Sequence, residues 1–89
     1  MFTLFKAENE QHAIQIANST EYGLGASVFS RTRGEEVIDQ VRSGMGFVNS
    51  FVKSDYNYPT GGVGKSGYGR ECGVEGFRSF ANVRTHYVN

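Results

Sequence analysis

Residues 24–49 read LGASVFSRTRGEEVIDQVRSGMGFVN, and this stretch decides the fold. Two short apolar runs, residues 26–30 and 45–49, are typical of buried strands. The segment between them begins at residue 32 or 33, ends at Ser43-Gly44, and has the apolar spacing of a helix at Val37, Ile38 and Val41. A strand, a helix and a strand at this spacing predict a βαβ unit with parallel strands and a right-handed crossover.

The preceding residues repeat the same order of elements. Residues 2–6 alternate apolar and polar side chains, which predicts a strand. Asn9 is a suitable cap for a helix that carries Ala13, Ile14 and Ala17 on one face and ends by Thr20. The sequence therefore predicts an α/β fold with two successive βαβ units, a parallel sheet, and helices that cover the sheet.

The chain changes character after Asn49. Residues 50–71 are rich in glycine and have no helical period, which predicts a long loop, and long loops in compact domains are often functional. A short amphipathic helix is expected to follow, with Val74, Phe77 and Phe80 on one face. Residues 83–88 alternate like a C-terminal strand, but the sequence offers it no evident partner.

Composition excludes several classes of function. The 89 residues contain nine basic and nine acidic side chains, so a basic surface for nucleic acid is not expected. No apolar run approaches the ~20 residues that span a bilayer, and no signal peptide is visible. With one cysteine, Cys72, and two distant histidines, neither an internal disulfide nor a metal site is expected. We therefore expect a cytoplasmic protein that binds neither nucleic acid nor membrane.

Two sequence patterns resemble functional motifs but lack the neighbouring elements or residues that those functions require. Residues 62–67 match G-x-G-x-x-G, yet they follow Pro59 rather than a central strand, and Gly69 interrupts any long helix after them. Pro59 also occupies the position where a phosphate-binding P-loop requires glycine. Cys72 follows Arg70, which favours a thiolate, but no histidine is near in sequence, so a structural thiol is the favoured interpretation. The sequence predicts no catalytic, cofactor-binding or metal-binding residue in this chain.

Three segments together resemble the C-terminal part of the NAD(P)-dependent aldehyde dehydrogenases. Residues 17–29 are similar to the family's AN-x-T-x-YGL-x-A-x-V segment, and residues 44–49 to its G-x-V-x-VN strand. Residues 61–71 resemble the loop PFGG-x-K-x-SG-x-GRE. Within the family, residues 50–55 are most similar to bacterial succinate-semialdehyde dehydrogenases. The resemblance implies that residues 1–80 complete a catalytic domain and that residues 81–89 form the C-terminal strand of an oligomerisation region.

The resemblance also implies an activity, the oxidation of an aldehyde to a carboxylic acid with NAD or NADP. The family's nucleophilic cysteine, general-base glutamate and cofactor site lie upstream of the matched region, so the 89 residues alone are expected to be inactive and to bind no cofactor. The implied substrate-tunnel residues are Phe51, Ser54, Thr60 and Gly61. Thr60 replaces the family's phenylalanine, and Gly64 replaces its lysine.

The predicted C-terminal strand, residues 83–88, has no evident partner within the chain and therefore suggests which partners to expect. The resemblance implies that residues 83–88 pair with the remainder of a parent enzyme or with a second copy of the chain. Exposed aromatic residues, such as Phe47, Phe77 and Phe80, favour oligomerisation. Two alternatives stay open at this point: a self-associating α/β interaction module without catalysis, and a small phosphate- or nucleotide-binding domain that uses residues 62–67.

Overall fold

The computed structural model describes residues 1–89 and has one βαβ unit at its centre. In chain order the elements are α1 (Glu10–Asn18), β1 (Gly25–Val28), α2 (Gly34–Ile38), β2 (Met45–Val48), a 3-10 turn (Gly64–Ser66) and α3 (Gly73–Arg78). Strands β1 and β2 pair in parallel, with Gly25 opposite Met45 and Val28 opposite Val48. The α/β class and the parallel strand pair around α2 are thereby confirmed.

Helix α1 begins where the sequence predicts. The side chain of Asn9 accepts a hydrogen bond of 2.9 Å from the amide of His12 and so caps the helix. The amide of Ser19 donates to the carbonyl of Ile16 and closes the last turn. The apolar face of α1 lines a small apolar pocket together with residues of β1 and α2, and Ile14 on this face is only 5% exposed.

Helix α2 is shorter than predicted because a distant residue ends it. The predicted helix reaches residues 43–44, but the regular helix stops at Ile38. The side chain of Asn18 donates to the carbonyl of Gln40 at 2.8 Å and accepts from the amide of Arg42 at 2.7 Å. These bonds occupy backbone groups that a longer helix needs for itself, so α1 determines where α2 ends.

Two predicted strands are not formed, and the prediction of two successive βαβ units is wrong for this structure. Residues 2–6 and residues 83–88 have no strand assignment, and neither segment has a partner in the two-stranded sheet. A strand is stabilised by hydrogen bonds to a neighbour, and this chain supplies a neighbour to neither segment. Only the unit that joins β1, α2 and β2 is complete.

The chain buries little apolar surface of its own. Five of 89 residues are buried, and Ile14 is the only large apolar side chain among them. Helix α3 is present as predicted, but Phe77 on it is 81% exposed, and the following Phe80 is 96% exposed. The amphipathic pattern of this region therefore has no apolar surface within the chain to cover it. No helix is long and apolar enough to cross a membrane.

Candidate functional site

The loop of residues 50–71 begins at a sharp turn that Asn49 forms. Asn49 has a left-handed backbone, with φ 52°, and its amide donates to the carbonyl of Val28 at 2.8 Å. Its side chain accepts from the amide of Ser30 and donates to the carbonyl of the same residue, both at 2.9 Å. Asn49 thus joins the carboxyl ends of β1 and β2 and fixes the direction in which the loop leaves the sheet.

The far part of the loop is fastened to the turn that precedes β1. The amide of Val63 donates to the carbonyl of Gly23 at 2.9 Å, and the amide of Lys65 donates to the carbonyl of Glu21 at 2.8 Å. In return, the amide of Gly23 donates to the hydroxyl of Ser66 at 2.9 Å. The ammonium of Lys65 also contacts the carboxylate of Glu21 at 2.7 Å. These contacts hold the glycine-rich segment against the βαβ unit.

Glycine is required at two points of this junction. A Cβ on Gly44 would collide with the carbonyl oxygen of Gly61 and lie 2.7 Å from its carbonyl carbon. Gly64 has a φ of 58°, and a Cβ there would collide with the carbonyl oxygen of Glu21. Side chains at these positions would force the two backbones apart, so the glycines permit the close approach.

The segment 62–67 does not fit the pyrophosphate of a dinucleotide. A pyrophosphate site needs free amides at the start of a long helix. Here the amides of Val63 and Lys65 bond to the turn before β1, and the amides of Ser66 and Gly67 bond within the segment. The segment forms a three-residue 3-10 turn rather than a helix N-terminus. The geometry therefore argues against a phosphate- or nucleotide-binding site in these residues.

Thr60 is placed by a short antiparallel bridge. Its amide donates to the carbonyl of Glu71 at 2.7 Å, and the amide of Glu71 donates back at 2.9 Å. The guanidinium of Arg70 donates to the carbonyls of Gly62 and Gly69, at 2.9 and 2.7 Å. Thr60 is 9% exposed as a result, and the two ends of the segment between Thr60 and Glu71 are held together.

A cleft of about 390 Å³ lies between the start of β2 and the near part of the loop. One wall consists of residues 44–47, and the other of the loop side chains Lys53, Asp55, Tyr58, Pro59 and Thr60. The loop residues of this wall carry an ammonium, a carboxylate and two hydroxyl groups beside the apolar rings of Tyr58 and Pro59. Such a surface suits a small polar molecule better than a long hydrocarbon chain.

The structure brings only one of the four predicted tunnel residues to this cleft. Thr60 lines it, whereas Gly61 lines a neighbouring depression together with Thr60. Phe51 is 78% exposed and packs against Phe29, with ring centroids 5.4 Å apart. Ser54 is exposed and lies outside the cleft lining. Phe51 and Ser54 therefore do not line this cleft, and the assignment of the four residues to a substrate tunnel stays a prediction.

The cleft instead receives Lys53 and Asp55, the two neighbours of Ser54. Because both line the cleft and Ser54 does not, the side chains alternate between the two sides of the segment, as they do in a strand. Alternation along residues 53–55 is the feature of the sequence from which Lys53 and Asp55 could have been predicted to line the cleft. The direction in which the segment leaves the sheet is set by Asn49, which lies outside the loop itself.

The two ionisable groups with clearly shifted pKa values, Glu10 and Arg33, lie away from the cleft. A bidentate hydrogen bond from Arg33, at 2.8 and 2.9 Å, lowers the pKa of the Glu10 carboxyl. The same contact raises the pKa of Arg33, which also contacts Glu36 at 2.6 Å. This exposed cluster joins α1 to α2 and is structural. No group of three or more metal-ligating side chains is present in the chain.

Cys72 is not arranged as a nucleophile. It is half-buried, has a left-handed φ of 61°, and precedes the first turn of α3. It does not line the cleft beside β2. The structural interpretation of this thiol is thereby favoured.

Comparison with known proteins identifies relatives of this chain. The profile of the aldehyde dehydrogenase family matches residues 1–86. The NADP-dependent succinate-semialdehyde dehydrogenase 1 of Mycobacterium tuberculosis is 39% identical over 88 residues, which are 97% of this chain and 19% of that protein. The corresponding Mycobacterium leprae enzyme is 36% identical over the same length. The chain thus spans about a fifth of the length of these relatives.

Solved structures agree with the sequence comparison. The succinic semialdehyde dehydrogenase of Streptococcus pyogenes, in complex with NADP, superimposes with a TM-score of 0.85 and 40% identity, over 90% of this chain and 18% of that one. The betaine aldehyde dehydrogenase of Staphylococcus aureus, in complex with NAD, gives a TM-score of 0.79 and 39% identity, over 82% of this chain and 15% of that one. The chain therefore belongs to the aldehyde dehydrogenase family.

Proposed function

We propose that this chain forms the C-terminal part of the catalytic domain of an enzyme that oxidises succinic semialdehyde to the dicarboxylic acid, with NADP or NAD as the oxidant. The observation that carries the proposal is the match of 97% of the chain to succinate-semialdehyde dehydrogenases at up to 39% identity. The fold agreement with the S. pyogenes enzyme, at a TM-score of 0.85, supports it.

The contribution of this chain is a wall of the substrate site rather than the reacting groups. The cleft beside β2 offers hydroxyls, an ammonium and a carboxylate, which bind and orient a small polar aldehyde. The only thiol, Cys72, lies outside the cleft, and four amides of residues 62–67 are already hydrogen-bonded within the chain. We therefore propose that the nucleophile, the general base and the cofactor site come from other residues of the complete enzyme, and that the 89 residues alone do not catalyse the oxidation.

A chimaeric enzyme tests whether this chain supplies a wall of the substrate site while other residues supply the reacting groups. Residues 1–89 replace the matching segment of the S. pyogenes enzyme, and reduction of NADP is followed with succinic semialdehyde. We expect activity in the chimaera and none in the 89-residue chain at the same concentration. A soluble, folded chimaera that oxidises no aldehyde contradicts the proposal. Turnover by the isolated chain contradicts the assignment of the reacting groups to other residues.

A second candidate function, self-association without catalysis, rests on the exposed apolar side chains. Phe77, Phe80, Val83 and Tyr87 are each more than four-fifths exposed and follow one another near the C-terminus. Surfaces of this kind mark protein interfaces. We propose that residues 81–89 pair with the remainder of the enzyme or with a second copy. Sedimentation velocity of the 89-residue chain at several concentrations distinguishes a self-associating chain from a stable monomer.

A further inference from the structure

We infer that His12 is a pH-sensitive tether, which holds the segment of residues 1–8 to the start of α1 only while its imidazole is neutral. The proposed function is not needed for this inference, because the tether concerns the conformation of the chain and not a reaction. Two hydrogen bonds carry it. The side chain of Asn9 accepts from the amide of His12 at 2.9 Å, and the Nδ1 atom of His12 accepts from the amide of Glu8 at 3.3 Å.

The two bonds form a reciprocal cap at the start of α1. In the usual capping box, the third residue of the helix is Glu or Gln, and its side chain reaches back to the amide of the N-cap residue. Here the third residue is His12, and its ring reaches back one residue further, beyond the N-cap Asn9 to the amide of Glu8. A carboxylate or a side-chain amide remains an acceptor near neutral pH, whereas an imidazole loses its acceptor when it is protonated.

Only the neutral ring of His12 can accept this bond. Acceptance at Nδ1 requires a lone pair on that atom, so the ring proton lies on Nε2. When the ring takes up a second proton, both nitrogens become donors, and the amide of Glu8 loses its acceptor. Imidazole is the side chain that ordinarily changes charge between about pH 5 and 8. The bond is therefore made at the upper end of this range and lost at the lower end.

The bond to His12 is the only hydrogen bond that residues 1–8 make. Lys6 and Glu8 form no ion pair. The large apolar side chains within the segment are each more than two-thirds exposed: Phe2, Leu4 and Phe5. Loss of the bond therefore leaves the direction in which the segment enters α1 without a polar contact to fix it.

Charged side chains near the cap come from three elements. Lys6 and Glu8 belong to the segment before α1, Glu10 to the first turn of α1, and Arg33 and Glu36 to the start of α2. None of their side chains bonds to the imidazole, and Glu10 is held by Arg33 at 2.8 Å. Carboxylates attract an imidazolium, whereas the partial positive charge of the helix N-terminus repels it. Because these effects oppose one another, the Glu8 amide reports the loss of the bond more directly than the stability of the whole chain.

Solvent-exchange NMR of the Glu8 amide in the 89-residue chain tests the tether. Each exchange rate is divided by the intrinsic rate at the same pH to give a protection factor. We expect this factor to fall about 2- to 10-fold from about pH 8 to about pH 5, the change that a net hydrogen bond of about 0.5–1.5 kcal/mol gives at 1.4 kcal/mol per tenfold. The nitrogen shifts of the His12 ring should change with the same midpoint and should place the proton of the neutral ring on Nε2.

Three variants separate the imidazole from other titrating groups. His12→Gln keeps an acceptor at the third position of α1 but cannot titrate, so it should retain protection of the Glu8 amide at both ends of the pH range. His12→Ala removes the acceptor and should give the low protection at every pH. His86→Gln replaces the other histidine, which lies in the exposed C-terminal segment, and is the matched control that should behave like the unmodified chain.

Several outcomes would overturn the tether. These are a pH dependence of the Glu8 amide that persists in His12→Gln, a pH dependence that His86→Gln removes, and a neutral His12 ring with its proton on Nδ1. If α1 is unfolded in the isolated chain, hydrogen-exchange mass spectrometry of residues 5–12 in the chimaera makes the same comparison and requires no catalytic activity. Equal exchange at low pH in the chimaera and in its His12→Gln variant then overturns the tether, and faster exchange in the chimaera supports it.

Discussion

The substitution Gly44→Ala tests whether backbone contact between two loops holds the cleft in shape. Gly44 precedes β2, and Gly61 belongs to the glycine-rich loop on the other side of the junction. A methyl group on Gly44 meets three backbone atoms: the carbonyl oxygen of Gly61, the carbonyl carbon of Gly61 at 2.7 Å and the Cα of Gly62 at 2.8 Å. None of these atoms can move without moving the loop.

The size of the effect follows from the nature of these contacts. Inserting an extra methyl group between well-packed neighbours lowers the free energy of unfolding by about 1–3 kcal/mol. Because the neighbours of a methyl group on Gly44 are backbone atoms, we expect Gly44→Ala to lie at the upper end of this range. The matched control is Gly46→Ala, two residues along the same segment. Its Cβ would lie 2.7 Å from the Cγ1 atom of Ile38 and would meet no backbone atom within 4 Å. We expect the control to cost less than Gly44→Ala, because one side chain can shift without moving the loop.

Urea unfolding of the 89-residue chain, followed by circular dichroism, measures the difference. For a small domain with an m-value of about 1 kcal/mol/M, a loss of ~2–3 kcal/mol shifts the midpoint by ~2–3 M. Hydrogen exchange of the Val63 and Lys65 amides reports the same junction locally, since both amides bond to the turn before β1. If Gly44→Ala destabilises no more than Gly46→Ala and leaves both amides protected, the close backbone approach is not what holds the loop.

Two further predictions concern the helices. Asn9→Ala removes the cap of α1 and should cost about 1 kcal/mol, with earlier exchange of the His12 amide. Contact with Arg33 lowers the pKa of Glu10, so its stabilisation is present above the ordinary carboxyl value of 4.5 and is lost as pH falls through the lowered folded pKa. Acid titration of stability should show this component in the unmodified chain and lack it in Arg33→Met.

Sequence patterns were sufficient to predict the elements that depend only on residues near one another in the chain. The cap at Asn9, the stripe that contains Ile14 and the βαβ spacing each depend on residues a few positions apart, and each is present in the structure. The end of α2 was not predictable in this way, because Asn18 acts on residues 22 and 24 positions later. The same holds for the two terminal segments, because strand formation depends on a neighbour that no local pattern supplies.

The candidate site shows the same division between local and distant causes. Family resemblance pointed to the loop and to Thr60 as candidates, but the side of the loop that faces β2 depends on the turn at Asn49 and on the alternation that follows it. That geometry selects Lys53 and Asp55 rather than Ser54. A motif identifies the segment beside β2, while the direction of the backbone decides which of its side chains line the cleft.

The small buried core of the chain is the reason to expect that residues outside it help to hold the cleft in shape. Ile14 is the one large apolar side chain that is buried, whereas backbone hydrogen bonds, such as those of Val63 and Lys65, and close glycine contacts maintain the loop. Hydrogen bonds contribute modest net stability, and apolar burial contributes most of the free energy of folding. Covering Phe77 and Phe80 adds about 1.5–3 kcal/mol for each ring. A surface that covers α3 therefore stabilises the Thr60–Glu71 bridge next to it, and with it the wall of the cleft.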